Sequence, residues 1–246
     1  MPTPLEILQD LKANPEDILG RCVFVPRGAP DAGPHQFWLE TSRVITGRLA
    51  VESKRMPYHT RETGYPFQAY NIPAIATDTI VGLRANDQAD TSRSALVPVA
   101  KRRARRLRYK VETPEPTDGI LGRIDAIDIP GVRLGINDAD PDIMITTQFS
   151  GCSFMIQKTG GTLTCAHLWP RPPINPRRLH SILMEVGQFD GQLPVPRPVV
   201  YGANFYFGVT QGAKGAIIGF RVEGEWRLYH QMSDGLKSVH QVVRII

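Results

Sequence analysis

Apolar and polar positions along this chain alternate mostly with the period of strands, and helical spacing is confined to its start. From Pro4 to Leu19 the apolar positions Leu5, Ile7, Leu8, Leu11 and Ile18 follow a helical spacing that Pro15 restarts, which predicts one or two short helices. Cys22 to Val25 reads as a strand, residues 26–36 as a Pro/Gly-rich loop, and Phe37 to Val51 as a strand pair around Gly47. Residues 52–74 are polar and aromatic with three prolines, and read as a long loop or a ligand-facing surface. Ile75 to Leu83 and Ala95 to Val99 are strand-like, and Ile120 to Ile136 alternates as strands broken by Pro130 and Gly131.

The second half is more regular. Asp138, Asp140 and Asp142 invite a calcium-loop reading, but the loop glycine and the terminal glutamate of an EF-hand are missing, so the run is a turn that starts a strand over Ile143 to Thr147. Residues 152–158 and 162–169 are rich in strand formers, and Thr159, Gly160 and Gly161 between them are turn chemistry, which predicts a β-hairpin. Pro170 to Pro176 is a proline-rich loop and Leu179 to Val186 a helix candidate. Strands are expected over Val199–Val209, Ala216–Val222, Glu225–Met232 and Val239–Ile246, with Gly224 marking a hairpin between the middle two. Many short strands with few helices predict an α+β protein: a β-sandwich core of mixed or antiparallel strands with peripheral helices. The 246 residues fit a single catalytic domain, with residues 1–110 as an N-terminal elaboration and 118–246 as the core carrying the hairpin.

Charge changes this picture in one place. Lys101, Arg102, Arg103, Arg105, Arg106, Arg108 and Lys110 carry seven positive charges without an intervening acid, and setting them aside turns the net charge from +5 to −2. The basic character is one local run, suited to an acidic protein or membrane surface, or else a solvated face. Only Leu107 and Tyr109 interleave, too few for a base-stacking platform. No apolar run approaches the ~18 residues of a transmembrane helix, and Met1 to Asp10 lacks the basic start and apolar core of a Sec-type signal. Three cysteines are too few for a disulfide framework and point to a reducing compartment.

Cys152 carries the candidate chemistry. It follows Gly151 in Phe149-Ser150-Gly151-Cys152-Ser153, with Thr146 six residues before it and His167 fifteen after it. The thiolate is the nucleophile and a free thiol is mostly protonated near neutral pH, so a histidine must take its proton and later return one to a leaving group. Hairpin register decides whether the two meet. A four-residue loop sets Cys152 opposite His167; a two-residue Gly160-Gly161 turn sets Phe154 opposite His167; either leaves thiol and imidazole on one face, roughly 5 to 8 Å apart at Cβ. A three-residue loop would separate them. Thr146, through its hydroxyl or its carbonyl, is the candidate to orient the ring. Gly151 allows a sharp turn that leaves backbone N–H groups around Ser150 and Ser153 for an oxyanion.

The stretch resembles the Leu-Ser-Gly-Cys-Thr signature of the cytotoxic necrotizing factor deamidases, with Phe149 in place of leucine and Ser153 in place of threonine. The order Thr146, Cys152, His167 is also similar to that of Burkholderia lethal factor and the chemotaxis deamidase CheD. The match covers residues 146–167. It implies a protein glutamine deamidase with Cys152, His167 and Thr146 as its catalytic set, working without a cofactor on a protein substrate that bears the target glutamine. It further implies a bacterial toxin or effector, exported from the bacterial cytoplasm without a Sec-type signal and acting in host cytosol.

Other readings stay open. The same pair serves a cysteine protease or a transglutaminase, and a non-enzymatic module would bind acidic surfaces through residues 101–110. A cysteine in an apolar strand is also a small hydrophobe. Cys165 shares strand parity with His167 and reads as core, with an oxidised Cys152–Cys165 pair as the redox alternative. His35, His59, His180, His230 and His240 lie scattered in polar or loop contexts, without a metal-ligand spacing or a phosphate-binding motif.

Overall fold

The computed structural model describes residues 3–27, 31–40, 48–52, 64–77, 131–148, 150–159, 162–172, 174, 176, 179, 183, 199–202, 214–234 and 238–246. Two helices open the chain. In α1 (Pro4–Ala13) the Thr3 hydroxyl accepts the Glu6 N–H at 3.3 Å and the Glu6 carboxylate accepts the Thr3 N–H at 2.7 Å, a reciprocal cap. Pro15 then starts α2 (Pro15–Arg21), where its missing N–H costs nothing. Both helices and the restart at Pro15 agree with the sequence reading.

The strands follow in chain order as β1 (Val23–Arg27), β2 (Gly33–Glu40), β3 (Arg48–Glu52), β4 (Gly64–Ile72), β5 (Ala74–Ala76), β6 (Val132–Leu134) and β7 (Ile143–Thr146). After them come β8 (Ser153–Thr159), β9 (Thr162–Trp169), β10 (Val199–Gly202), β11 (Lys214–Val222), β12 (Glu225–Ser233) and β13 (Val239–Arg244). The first sheet has the order β1-β3-β2-β4-β7-β11-β12-β13, and the second β10-β8-β9-β5 with β6 also on β9. Pairing is mixed: β1/β3, β4/β7 and β5/β9 are parallel and the rest antiparallel. The fold is thus α+β with a sheet core, as expected.

At its centre, on β7, β11 and β12, the first sheet is buried on both faces. On β7, Ile143 and Ile145 join α1 and α2 in one apolar cluster, while Met144 between them joins a second cluster with Phe154, Ile156, Leu163 and Cys165 of the second sheet. Helices, first sheet and second sheet are therefore successive layers, and each fully buried large side chain contributes about 1.5–3 kcal/mol. The first sheet also curls, because Gln231 on β12 reaches β1. Its Oε1 accepts the Phe24 N–H at 2.7 Å, and its Nε2 donates to Leu19 O at 2.5 Å and Cys22 O at 2.7 Å.

The chain passes from the first sheet to the second twice at the same end of the sandwich. One crossing is Pro73, between Ile72 of β4 and Ala74 of β5; the other runs from Thr146 of β7 to Ser153 of β8. Ile72 pairs with Thr146 in one sheet and Ala74 with His167 in the other, so the two crossings share a corner.

Three readings are corrected. Residues 64–72, expected as loop, form the nine-residue β4, in which Pro66 pairs with Trp38 on β2 while β7 begins its pairing only at Tyr70. The proline is tolerated because β7 does not pair with that half of the strand. The loop expected over residues 26–36 gives way to β2 at Gly33. His230, read as one of the histidines in polar or loop contexts, is 1% exposed within β12, a strand the sequence did predict. The expected strands at 78–83, 95–99, 120–130 and 203–209, the linker at 112–118, and 179–186 apart from Leu179 and Leu183 lie outside the described residues. Leu179 and Leu183 are helical and fully buried.

Candidate functional site

Thr159 pairs with Thr162, Gln157 with Thr164 and Phe154 with His167. This is the register of the two-residue connection, not of the four-residue loop that would set Cys152 opposite His167. Along β9, His167 has the parity of Leu163 and Cys165, which pack between the sheets, so the imidazole faces the first sheet. Cys152, one residue before β8, packs against the same inter-sheet cluster beside Phe154. Thiol and imidazole thus face the same inter-sheet layer, with Cys152 two residues before the Phe154–His167 pair.

Across the gap, Thr147 Oγ1 lies 3.4 Å from His167 Nδ1. The hydroxyl expected there was that of Thr146, which is engaged elsewhere. Its Oγ1 accepts the Ile217 N–H at 3.3 Å and donates toward Thr147 O at 3.1 Å, in line between β7 and β11. The ring is thus met by the residue after the strand, where the backbone leaves the sheet. The Nδ1–H tautomer, donating to Thr147, keeps the lone pair on Nε2 for proton transfer.

Gly151 has φ 113°, a conformation L side chains rarely adopt, and glycine is what lets the chain turn into Cys152 there. The turn brings the Ser150 backbone N–H against the Cys152 sulfur. Ser153 is 1% exposed and its Oγ has no hydrogen-bond partner among the described residues.

Burial dominates the electrostatics. It pushes the Cys152 thiol up to about 11, only partly offset by the Ser150 N–H. It pushes His167 down to about 4. Both effects favour the uncharged forms, so the resting site holds a neutral thiol beside a neutral imidazole rather than an ion pair. His230 is a second buried imidazole, also pushed down to about 4 by burial. It pairs with Ile217 and shares parity with Trp226 and Leu228, so it faces the same inter-sheet layer. The alternation Trp226, Leu228, His230, Met232 carried that signal in the sequence.

Cys165 pairs with Ile156, four residues on from Cys152, so the two Cα positions are about 13 Å apart along the strand direction. A disulfide needs Cα atoms within about 7 Å, which rules out the oxidised pair. Lys101, Arg102, Arg103, Arg105 and Arg106, like Phe149, lie outside the described residues. Among the described residues no group of three His, Cys, Asp or Glu side chains is arranged to hold a metal ion, and no helix is long and apolar enough to cross a membrane. No family model and no curated protein sequence matches the chain.

Proposed function

We propose that the protein is a cysteine-dependent amidohydrolase that deamidates a glutamine side chain of a protein substrate. The observation that carries this reading is the shared inward face of Cys152 and His167 with Thr147 at the far ring nitrogen. Cys152 is recessed rather than exposed. A long, narrow glutamine side chain reaches such a sulfur more readily than a main-chain amide does, which favours deamidation over proteolysis with the same pair.

Because both groups rest uncharged, proton transfer accompanies attack. Cys152 Sγ bonds to the carboxamide carbon as its proton passes to His167 Nε2, and backbone N–H groups at the Gly151 turn face the developing oxyanion. The C–N bond breaks as the imidazolium returns that proton to the departing ammonia, leaving a thioester. Water then attacks the thioester carbon and gives its proton to Nε2. The C–S bond breaks, the sulfur recovers the proton, and glutamate remains. The resemblance of residues 146–167 to the toxin deamidases extends the proposal to a bacterial effector acting on a host protein.

The test is incubation with a pool of glutamine-bearing peptides, analysed by mass spectrometry with and without an added primary amine. Glutamine converted to glutamate in intact peptides supports the reading. Amine incorporation in preference to water would reassign the site to transglutamination, and backbone cleavage to proteolysis.

A further inference from the structure

We propose that the cleft between α1, the first half of β4 and the 137–142 turn is a docking site for an extended peptide segment that combines lysine or arginine with apolar side chains. It stands apart from the Cys152 site, about 17 Å along β4 from Ile72, and does not depend on the deamidase reading. The cleft holds about 1000 Å³. Tyr65, Pro66, Phe67 and Gln68 all line it, so it borders the edge of β4 that β7 leaves unpaired before Tyr70. Pro66 removes one N–H from that edge and blunts plain strand addition, which leaves recognition to side chains.

The two walls differ. Leu5, Leu8, Tyr65 and Phe67 form an apolar wall; Asp138, Asp140, Asp142 and Glu223 form an acidic one. The cations in the lining, Lys12 and Arg221, are held within it: Lys12 Nζ is 2.7 Å from Asp142, and Arg221 donates to Ile136 O at 2.7 Å and Asp140 O at 3.2 Å. Four carboxylates against two cations leave two negative charges. The acidic wall is also fixed in place. Asp140 N donates to Asn137 O at 3.0 Å, Asn137 N to Asp140 Oδ2 at 3.1 Å, and Arg221 N to Asp142 O at 2.7 Å.

Exposed apolar surface at the cleft points to an occupant with apolar side chains of its own. Of the three large hydrophobic residues exposed among the described ones, Leu5 (40%) lines the cleft and Ile136 (48%) stands at the foot of its acidic turn. The Arg221 side chain is only 8% exposed, so its charge is withdrawn into the wall and the carboxylates set the sign that an occupant meets.

The experiment uses the full chain and a fluorescein-labelled octapeptide of alternating lysine and leucine, titrated by anisotropy at low salt. Glutamate/leucine and lysine/serine peptides serve as comparisons. Saturable binding is expected for the lysine/leucine peptide, about tenfold weaker for either comparison. Asp138→Asn with Glu223→Gln should weaken it by about fivefold or more, and Leu5→Ser by about threefold, with circular dichroism unchanged. Absence of saturable binding, equal binding of the glutamate peptide, or binding untouched by all three substitutions would overturn the proposal.

Discussion

Thr147 Oγ1, one residue past the end of β7, lies 3.4 Å from Nδ1 of His167 on the second sheet, a contact made where the chain crosses between sheets. Its neighbour Thr146 has a different task, holding β7 to β11 through the Ile217 N–H. The adjacent threonines should therefore separate in experiment. Thr147→Val removes a hydrogen bond of about 1 kcal/mol, roughly a fivefold fall in kcat, with stability nearly unchanged. Thr146→Val strands a buried N–H and costs about 1–3 kcal/mol in urea unfolding, with little change in kcat. The reverse pattern would place the orienting hydroxyl on Thr146.

Burial makes Cys152 slow to react at rest. With the thiol near 11 and His167 near 4, iodoacetamide labelling of the free protein should rise only above about pH 10 and run parallel in wild type and His167→Ala. Rapid labelling below pH 8 that His167→Ala abolishes would mean that an ion pair exists before substrate binds.

The two buried imidazoles make the fold acid-sensitive. His167 and His230 go from 6.5 to about 4 on burial, so the unfolded chain binds more protons than the folded one between those values. Stability is complete above 6.5 and falls as pH drops toward 4, by up to about 3 kcal/mol for each ring. The urea midpoint should fall steeply from pH 7 to 4.5, and His230→Leu should flatten part of that slope. A midpoint independent of pH across this window would contradict the burial of both rings.

Gln231 is expected to be the most costly single polar substitution among those discussed. Gln231→Leu leaves the Phe24 N–H and two carbonyls of the α2–β1 junction without their partner, and should destabilise by about 3 kcal/mol or more. Urea unfolding measures it; a change below about 0.5 kcal/mol would show that water replaces the amide.

Local chemistry made much of this legible from sequence. Pro15 divided the helices, Gly224 marked the β11–β12 hairpin, and the glycines at 160 and 161 allowed an even register that brings Cys152 and His167 to one face. What was not legible is set by distant partners. Pro66 argues against a strand unless one knows that β7 starts pairing only at Tyr70. Thr146 and Thr147 are equivalent hydroxyls until the backbone leaves the first sheet between them. The parity of His230 with Trp226 and Leu228 marks an apolar face, but that the second sheet covers it depends on distant strands.

The central claim is that Cys152 is the nucleophile of an amidohydrolase whose base is His167. Ammonia release from a glutamine-bearing protein substrate, measured in parallel for wild type, Cys152→Ala and His167→Ala, tests it most directly. Release by wild type that falls by at least about a hundredfold in both variants, with their circular dichroism intact, is the predicted result. Full release by either folded variant would contradict it.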